Sequence, residues 1–464
     1  MRRVMLATAA LLGVTGATLG IAAAQGLPGS QMQGTLPTRP STGAYAIDNN
    51  GAGAALEKGS IANPTPGTMV LRLGVRVEAD IAASWTSLDN AGGNKLFPYR
   101  FMEYMRIYPG MDAMAANGLR YGAAVELRQN NVDPAGSTGS SGGTAYSTTQ
   151  TVFVRRELVY LAGDQWGLVR FGEADGLIGL YDGGGKTTGV FLAPTGTIVG
   201  GDAEGSAPGN AYMTPYFAAQ SGNEYVPTKL VYMSPSFGGF DFGLQYQPDS
   251  WNGFTNCASA AAGAACPNLA STNVAGVGSR AKDQFEVGAR YQGVLGGAKV
   301  LAYGVYVGSG HTNYTGLTHG VAGSTYTGQY DNLRIGMFGA NVTFSGLSVF
   351  GNVMIGDYNG ILALKPKGAP GAKGWGAGVK YANGPFTIGG VYSQFDSQGD
   401  VALTGVTQRH EQVVDLAGTY TAAPGLTMYA EYVYGTRYQG GENFGAGSDH
   451  VRAQTFLVGT VMKW

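Results

Sequence analysis

The stretch Leu71-Arg72-Leu73-Gly74-Val75-Arg76-Val77-Glu78-Ala79-Asp80-Ile81-Ala82-Ala83-Ser84-Trp85 decides the fold. Leu71, Leu73, Val75, Val77, Ala79, Ile81, Ala83 and Trp85 take every second position. Arg72, Gly74, Arg76, Glu78, Asp80, Ala82 and Ser84 take the others. Successive strand residues point to opposite faces, so this run has one apolar face and one small or charged face. It exceeds the usual soluble strand. It suits a tilted strand crossing a bilayer, which needs about 9–11 residues.

The pattern recurs outward from this stretch. Leu119, Tyr121, Ala123, Val125 and Leu127 alternate with Arg120, Gly122, Ala124, Glu126 and Arg128. Phe240, Phe242, Leu244 and Tyr246 oppose Asp241, Gly243, Gln245 and Gln247, and Phe285, Val287, Ala289 and Tyr291 oppose Glu286, Gly288, Arg290 and Gln292. Met428, Ala430 and Tyr432 oppose Tyr429, Glu431 and Val433. Tight turns such as Asn383-Gly384-Pro385 and Ala423-Pro424-Gly425 alternate with long Gly/Ser/Asn-rich stretches. Short turns at one end and long loops at the other are the habit of membrane barrels. The reading is all-β: a transmembrane antiparallel β-barrel of sixteen strands, with fourteen or eighteen as alternatives because 100–108 and 166–172 are poor segments. Closure follows from physics, since an open sheet edge in hydrocarbon leaves backbone groups unpaired.

Composition agrees with that fold. Charged residues make up 13% of the 464-residue chain, with 29 Lys+Arg against 30 Asp+Glu. Soluble domains carry roughly a quarter. Mean hydropathy is only -0.03, where a helical membrane protein would show apolar runs of about 20 residues. A secreted β-sandwich or β-helix is the competing reading of composition alone. The near-neutral charge leaves no basic footprint for nucleic acid.

Residues 1–24 read as a secretory signal peptide: Arg2 and Arg3, an apolar stretch from Val4, then Ala22 and Ala24 as the small-x-small cleavage pattern. A single anchoring helix is the alternative. Residues 25–65 have no strand period and read as a flexible extension. Residues 66–464 form the barrel. Cys257 and Cys266 lie outside any strand pattern and look like a disulfide stapling one loop. No metal or cofactor site is indicated.

Several segments resemble the general porins of Gram-negative bacteria. Gly67-Thr68-Met69-Val70-Leu71-Arg72-Leu73-Gly74-Val75-Arg76-Val77 is similar to the family's first strand. Gly167-Leu168-Val169-Arg170-Phe171-Gly172-Glu173-Ala174-Asp175-Gly176 resembles the lead into its inward-folded third loop. Tyr232-Met233-Ser234-Pro235-Ser236-Phe237-Gly238-Gly239-Phe240 looks like its "Y-x-SP-x-F-x-GF" hairpin, and Phe456 to Trp464 resembles its last strand with a terminal aromatic. The resemblance implies a sixteen-stranded barrel with a constriction loop, a homotrimer, and passive diffusion of ions and small hydrophilic solutes across the outer membrane of a Gram-negative bacterium. It further implies contact with outer-membrane lipid and lipopolysaccharide, and reading of Trp464 by the barrel-assembly machinery. The chain departs from the family in its long extension and in ending on Trp where Phe is commoner.

A diffusion pore needs width, water and a controlled field rather than covalent chemistry. Arg72, Arg76, Arg106, Arg120, Arg128, Arg156, Arg170 and Arg290 lie in or beside predicted strands. A lipid-facing position would cost each roughly 2–4 kcal/mol near the midplane, so they are read as lining the lumen, with rim and salt-bridge roles as the alternative. The family's constriction loop would bring Glu173, Asp175, Asp182, Asp202 and Glu204 against them. Arg155 and Arg156 are adjacent, so period two sends one inward and one outward.

Two other function classes compete. A barrel enzyme would need catalytic groups, but His311, His319, His410 and His450 sit in or near predicted loops with no G-x-S-x-G or H-E-x-x-H motif. A substrate-specific channel for sugars or anions shares the fold, although inward Tyr429 alone makes no aromatic slide. A structural or adhesive surface role is permitted by the long loops and demanded by nothing.

Overall fold

A computed structural model describes residues 64–87, 99–129, 152–182, 228–249, 281–310, 330–359, 364–399, 409–441 and 447–463. Sixteen strands run through them: β1 (Thr68–Thr86), β2 (Tyr99–Met114), β3 (Arg120–Gln129), β4 (Val152–Gly163), β5 (Gly167–Glu173), β6 (Thr228–Met233), β7 (Phe240–Asp249) and β8 (Lys282–Leu295). They continue with β9 (Ala298–Gly308), β10 (Arg334–Phe344), β11 (Leu347–Asp357), β12 (Ala372–Asn383), β13 (Phe386–Ser397), β14 (Arg409–Ala423), β15 (Leu426–Tyr438) and β16 (His450–Lys463). Each pairs antiparallel with its neighbours in sequence, and β16 pairs with β1, closing the barrel. No helix among the described residues is long and apolar enough to cross a membrane. Strands do the crossing.

The alternation read from the sequence is the alternation of the two walls. Leu73, Ile81, Phe242, Leu244, Val287 and Phe338 are exposed on the outer face, while Glu78, Asp241, Gln245 and Glu286 are buried on the inner face. Seven connections at one end are short. Gly296 and Gly297 join β8 to β9, both at positive φ (57° and 82°), which a two-residue hairpin of matching twist requires. The poor segment near 100–108 is a sixteen-residue strand continuing through Pro109. Pro109 has no N–H to give, and the β2–β3 pairing breaks around it, between Ile107↔Leu127 and Gly110↔Ala124. The other poor segment, β5, is only seven residues long.

One short helix, α1 (Leu177–Asp182), follows β5 and turns into the barrel. Leu177, Ile178, Leu180 and Tyr181 are buried. The helix packs on the inner faces of β7, β8 and β9. Its first-turn N–H groups have no partner within the helix. Leu177 N–H donates to Gln245 Oε1 (2.8 Å) and Ile178 N–H to Glu286 Oε2 (3.1 Å).

Candidate functional site: the inner wall

Sheet register assembles what the sequence keeps apart. Lys463 pairs with Arg76, Arg76 with Arg106, and Arg106 with Arg128. Four cations thus share one row across β16, β1, β2 and β3. Like charges directly opposite repel, and acids are interleaved to offset this. Glu78 pairs with Arg76 two residues along the same strand. Glu126 lies 3.1 Å from Arg106, 3.2 Å from Arg155 and 2.5 Å from Arg156. One fully buried carboxylate therefore holds three guanidinium groups.

The expectation that Arg155 and Arg156 point to opposite faces is corrected by a β-bulge. Glu126 pairs with Arg156, but the next residue, Leu127, pairs with Val154. Arg155 is the extra residue, and a bulge re-aims a side chain in this way. Both arginines are buried on Glu126. No outward arginine remains at this place in β4.

The other singled-out arginines divide by height. Arg120 pairs with Asp164 at the short-turn end. Arg170 donates to the Asp175 carbonyl. Arg290 binds Asp241 (2.9 Å) and lies over the Tyr181 ring, 4.9 Å from its centroid. Arg128 is half-buried on the inner side of β3. Arg72 pairs with Gly110 in the sheet, and its side chain is outside the described residues.

Among the loop acids, Asp175 is in direct contact with the wall: Arg156 Nη2 donates to both its oxygens (2.8 and 3.0 Å). Lys229 Nζ donates to the Ala174 carbonyl (2.7 Å). The root of the inward segment is thus tied to β4, β5 and β6. Glu173 lies on the Phe171 side of β5, opposite Glu157, and Phe171 faces outward. Asp182 ends α1, with its side chain outside the described residues. Asp202, Glu204, Cys257, Cys266 and Trp464 also lie outside them.

A second arc of the wall is acidic. Tyr429 donates its hydroxyl to Asp80. Glu411 binds Arg437 at 2.7 Å. Asp415 and Glu431 are buried on the inner faces of β14 and β15, diagonally adjacent because Ala417 pairs with Glu431 and Asp415 with Val433. The two carboxyls lie within hydrogen-bonding reach of each other.

A third arc is apolar. Val305, Val307, Ile335, Met337 and Met354 face inward at the loop end of β9, β10 and β11, and they pack with Leu333, Tyr358 and Leu364 from the connections. Burial holds the Tyr358 phenol well above its usual value. Nearer the short turns the same strands become polar, with Asn341, Thr343 and Ser348 joined by hydroxyl and amide contacts.

A family model described as "Gram-negative porin" matches residues 7–440. The chain belongs to the Gram-negative porin family. This porin is an outer-membrane protein that forms a channel for passive diffusion. No curated protein sequence matches it. Its barrel is similar to that of an anion-selective porin from Comamonas acidovorans, with a TM-score of 0.51 and 13% identity over 86% of this chain and 100% of that one. It is also similar to OmpF of Salmonella typhi in complex with daunomycin, with a TM-score of 0.51 and 14% identity over 85% and 97% of the two chains.

Three features of this porin's wall escape sequence reasoning. The shared row of Lys463, Arg76, Arg106 and Arg128 needs register, which no single strand encodes. Asp415 and Glu431 carry a period-two signal, but their proximity does not. The apolar arc hides in Val300-Leu301-Ala302-Tyr303-Gly304-Val305-Tyr306-Val307, where apolar residues occupy both faces and the period vanishes.

Proposed function

We propose that this porin passes small hydrated ions and dipolar solutes, and that its inner wall sorts them by charge. The observation that carries the reading is the row Lys463, Arg76, Arg106 and Arg128 beside the acidic arc of Asp80, Asp415 and Glu431. Barrel strands tilt and stagger, so a row of constant register climbs the wall obliquely. A climbing line of cations next to a line of acids sets a field across the passage. Such a field favours hydrated, oriented solutes over apolar ones. On this reading Arg72, Arg120, Arg156, Arg170 and Arg290 extend the basic lining, and no covalent step takes place.

A second reading, a substrate-specific channel, is favoured by one observation. Arg106, Glu126 and Glu286 are all fully buried, which suits a narrow passage better than a wide one. The likeness to an anion-selective porin carries the fold and leaves the sign of selectivity to measurement.

The remaining parts of the reading follow the family. Residues 1–24 direct export and are removed, residues 25–65 extend from the barrel, and residues 66–464 build it. The protein assembles as a homotrimer in the outer membrane of a Gram-negative bacterium, among lipid and lipopolysaccharide. Cys257 and Cys266 staple a loop, and Trp464 is read by the barrel-assembly machinery.

The test is conductance of the refolded protein in a planar bilayer under a salt gradient. Large steps arriving in threes are the expected result, and the reversal potential gives the sign of the dominant arc. Small, rare steps that a single sugar or anion blocks would move the assignment to the specific channel.

A further inference from the structure

The inner faces of β14 and β15 bring two acids together. Asp415 lies in Val413-Val414-Asp415-Leu416-Ala417 and Glu431 in Tyr429-Ala430-Glu431-Tyr432-Val433, each at a buried, inward position of its strand. Asp415 pairs with Val433 and Ala417 with Glu431, so the two acids are diagonal neighbours, a separation that long side chains close. Their carboxyls hydrogen-bond to each other. An ionised carboxylate offers only acceptor oxygens. One of the two therefore carries an O–H.

Among the described residues, each nearby cation is already matched by another acid. β13 sets Val391 opposite Asp415, with Ser393 at the next inward position. β16 sets Leu457 opposite Glu431 and Thr455 opposite Val433. The titratable groups around the pair are Glu411 on β14, Tyr429 and Arg437 on β15, and Asp80 on β1. Glu411 holds Arg437 at 2.7 Å, and Asp80 accepts the Tyr429 hydroxyl. Farther along β1, Arg76 is matched by Glu78. The charges that act on Glu431 are those of Asp415 and Asp80, both acids. Two carboxylates sharing a buried site repel, and a proton held between them relieves that repulsion.

Burial gives this proton its reach. A charge set in the wall away from water is little screened and acts across the passage. With the proton in place the pair carries one negative charge. When the proton leaves to the lumen water, the pair carries two.

We infer that Asp415 and Glu431 hold one proton between them and that this pair sets the balance between cations and anions in the channel. Its loss strengthens the acidic arc by one charge, and its return weakens it. The inference rests on the reading that the inner wall sorts solutes by charge.

The test joins infrared difference spectroscopy and bilayer recording of the full refolded barrel. At neutral pH, where free carboxyls are ionised, the parent minus Asp415→Asn spectrum should show the C=O stretch of one protonated carboxyl. Glu431→Gln should lose the same band. Under a potassium chloride gradient, the parent's cation-to-anion permeability ratio is expected to rise about twofold over the pH interval in which that band fades, the effect of one added charge acting across water. Both variants should lack that step. If one variant fails to fold, the other gives the same reading. Absence of the band means that both acids are ionised, and it overturns the proposal. So does a band whose fading leaves the permeability ratio unchanged, or a step that persists in a folded variant. A parent that opens no channel at all sinks the charge-sorting reading and the selector with it, whereas the band alone still decides whether the proton is shared.

Discussion

Two arcs of one inner wall solve the problem of burial in opposite ways. Around β2, β3 and β4, buried side chains are charged, and Glu126 neutralises guanidinium groups from Arg106, Arg155 and Arg156. Around β9, β10 and β11, the loop-end positions are Val307, Ile335, Met337 and Met354, packed as in a soluble core. Both arcs belong to the same sheet and obey the same alternation. What differs is the covering. Connections that bring Leu333, Tyr358 and Leu364 turn part of the wall into a dry core. The inward segment meets fixed charge at its root, where Asp175 takes Arg156, while its helix α1 joins the apolar cluster. Inward in a barrel therefore does not mean wet, and the residue type follows what lies against it.

The comparison breaks first at the hub. Glu126→Gln leaves three guanidinium groups around a neutral amide, and removing one partner from a buried ion pair costs about 3–5 kcal/mol. A fall of that size is expected in urea unfolding of the refolded barrel. The reversal potential should move toward anions in the same variant. An unchanged unfolding midpoint would mean the arginines are held by other groups.

The apolar arc should yield less. Met337→Ala empties a fully buried position. The expected loss is about 2–3 kcal/mol, the lower part of the usual range for such truncations, because Met354 beside it is pliant enough to refill space. Urea unfolding reads this too, and here the reversal potential should stay where it was. A shift in selectivity would show that this arc touches the passage.

Between the arcs stands α1, and Gly243 is what lets it approach. A Cβ on Gly243 would meet Leu177 Cδ1 at 2.3 Å and the Tyr181 hydroxyl at 3.1 Å. Gly243→Val is expected to push the helix off β7, costing roughly 1–3 kcal/mol by overpacking, with an altered single-channel conductance. Parental conductance in a folded variant would separate the helix from the passage.

The smallest effect belongs to the loop clip at Asp331. Partial burial alone would raise its carboxyl, but Lys365, hydrogen-bonded to it, holds it below the usual carboxylate range. A depressed folded value means the stabilisation is complete above the unfolded value. It is lost as pH falls through the lower, folded one. A part-buried pair at the barrel rim such as this contributes about 1 kcal/mol. Limited proteolysis near the Tyr330–Pro366 bridge should quicken only in strong acid, and Lys365→Met should remove that dependence.

The sequence made the barrel legible because each strand states its own alternation. Leu71 to Trp85 alone separates an apolar face from a charged one, and the structure keeps that separation on β1. The site was less legible. Arg155 obeys period two in the sequence and violates it in the sheet, because a bulge is a property of two strands. The cation row and the Asp415–Glu431 pair depend likewise on which residue meets which. Val305 and Val307 read only as apolar, since the cluster they join draws Tyr181, Tyr358 and Leu364 from other parts of the chain.

The seam where β16 meets β1 has a consequence for synthesis. Ser84 and Thr455 share a hydrogen bond across 371 positions of sequence, so the ring shuts with nearly its last strand. Until then both flanking strands present unpaired backbone, the template for wrong partners. Contacts this distant also form slowly. A ribosome that stops a few dozen codons early would release an open sheet with nowhere to hide its edges. Completion of the chain is thus itself a quality check, passed only by a molecule long enough to bite its own tail.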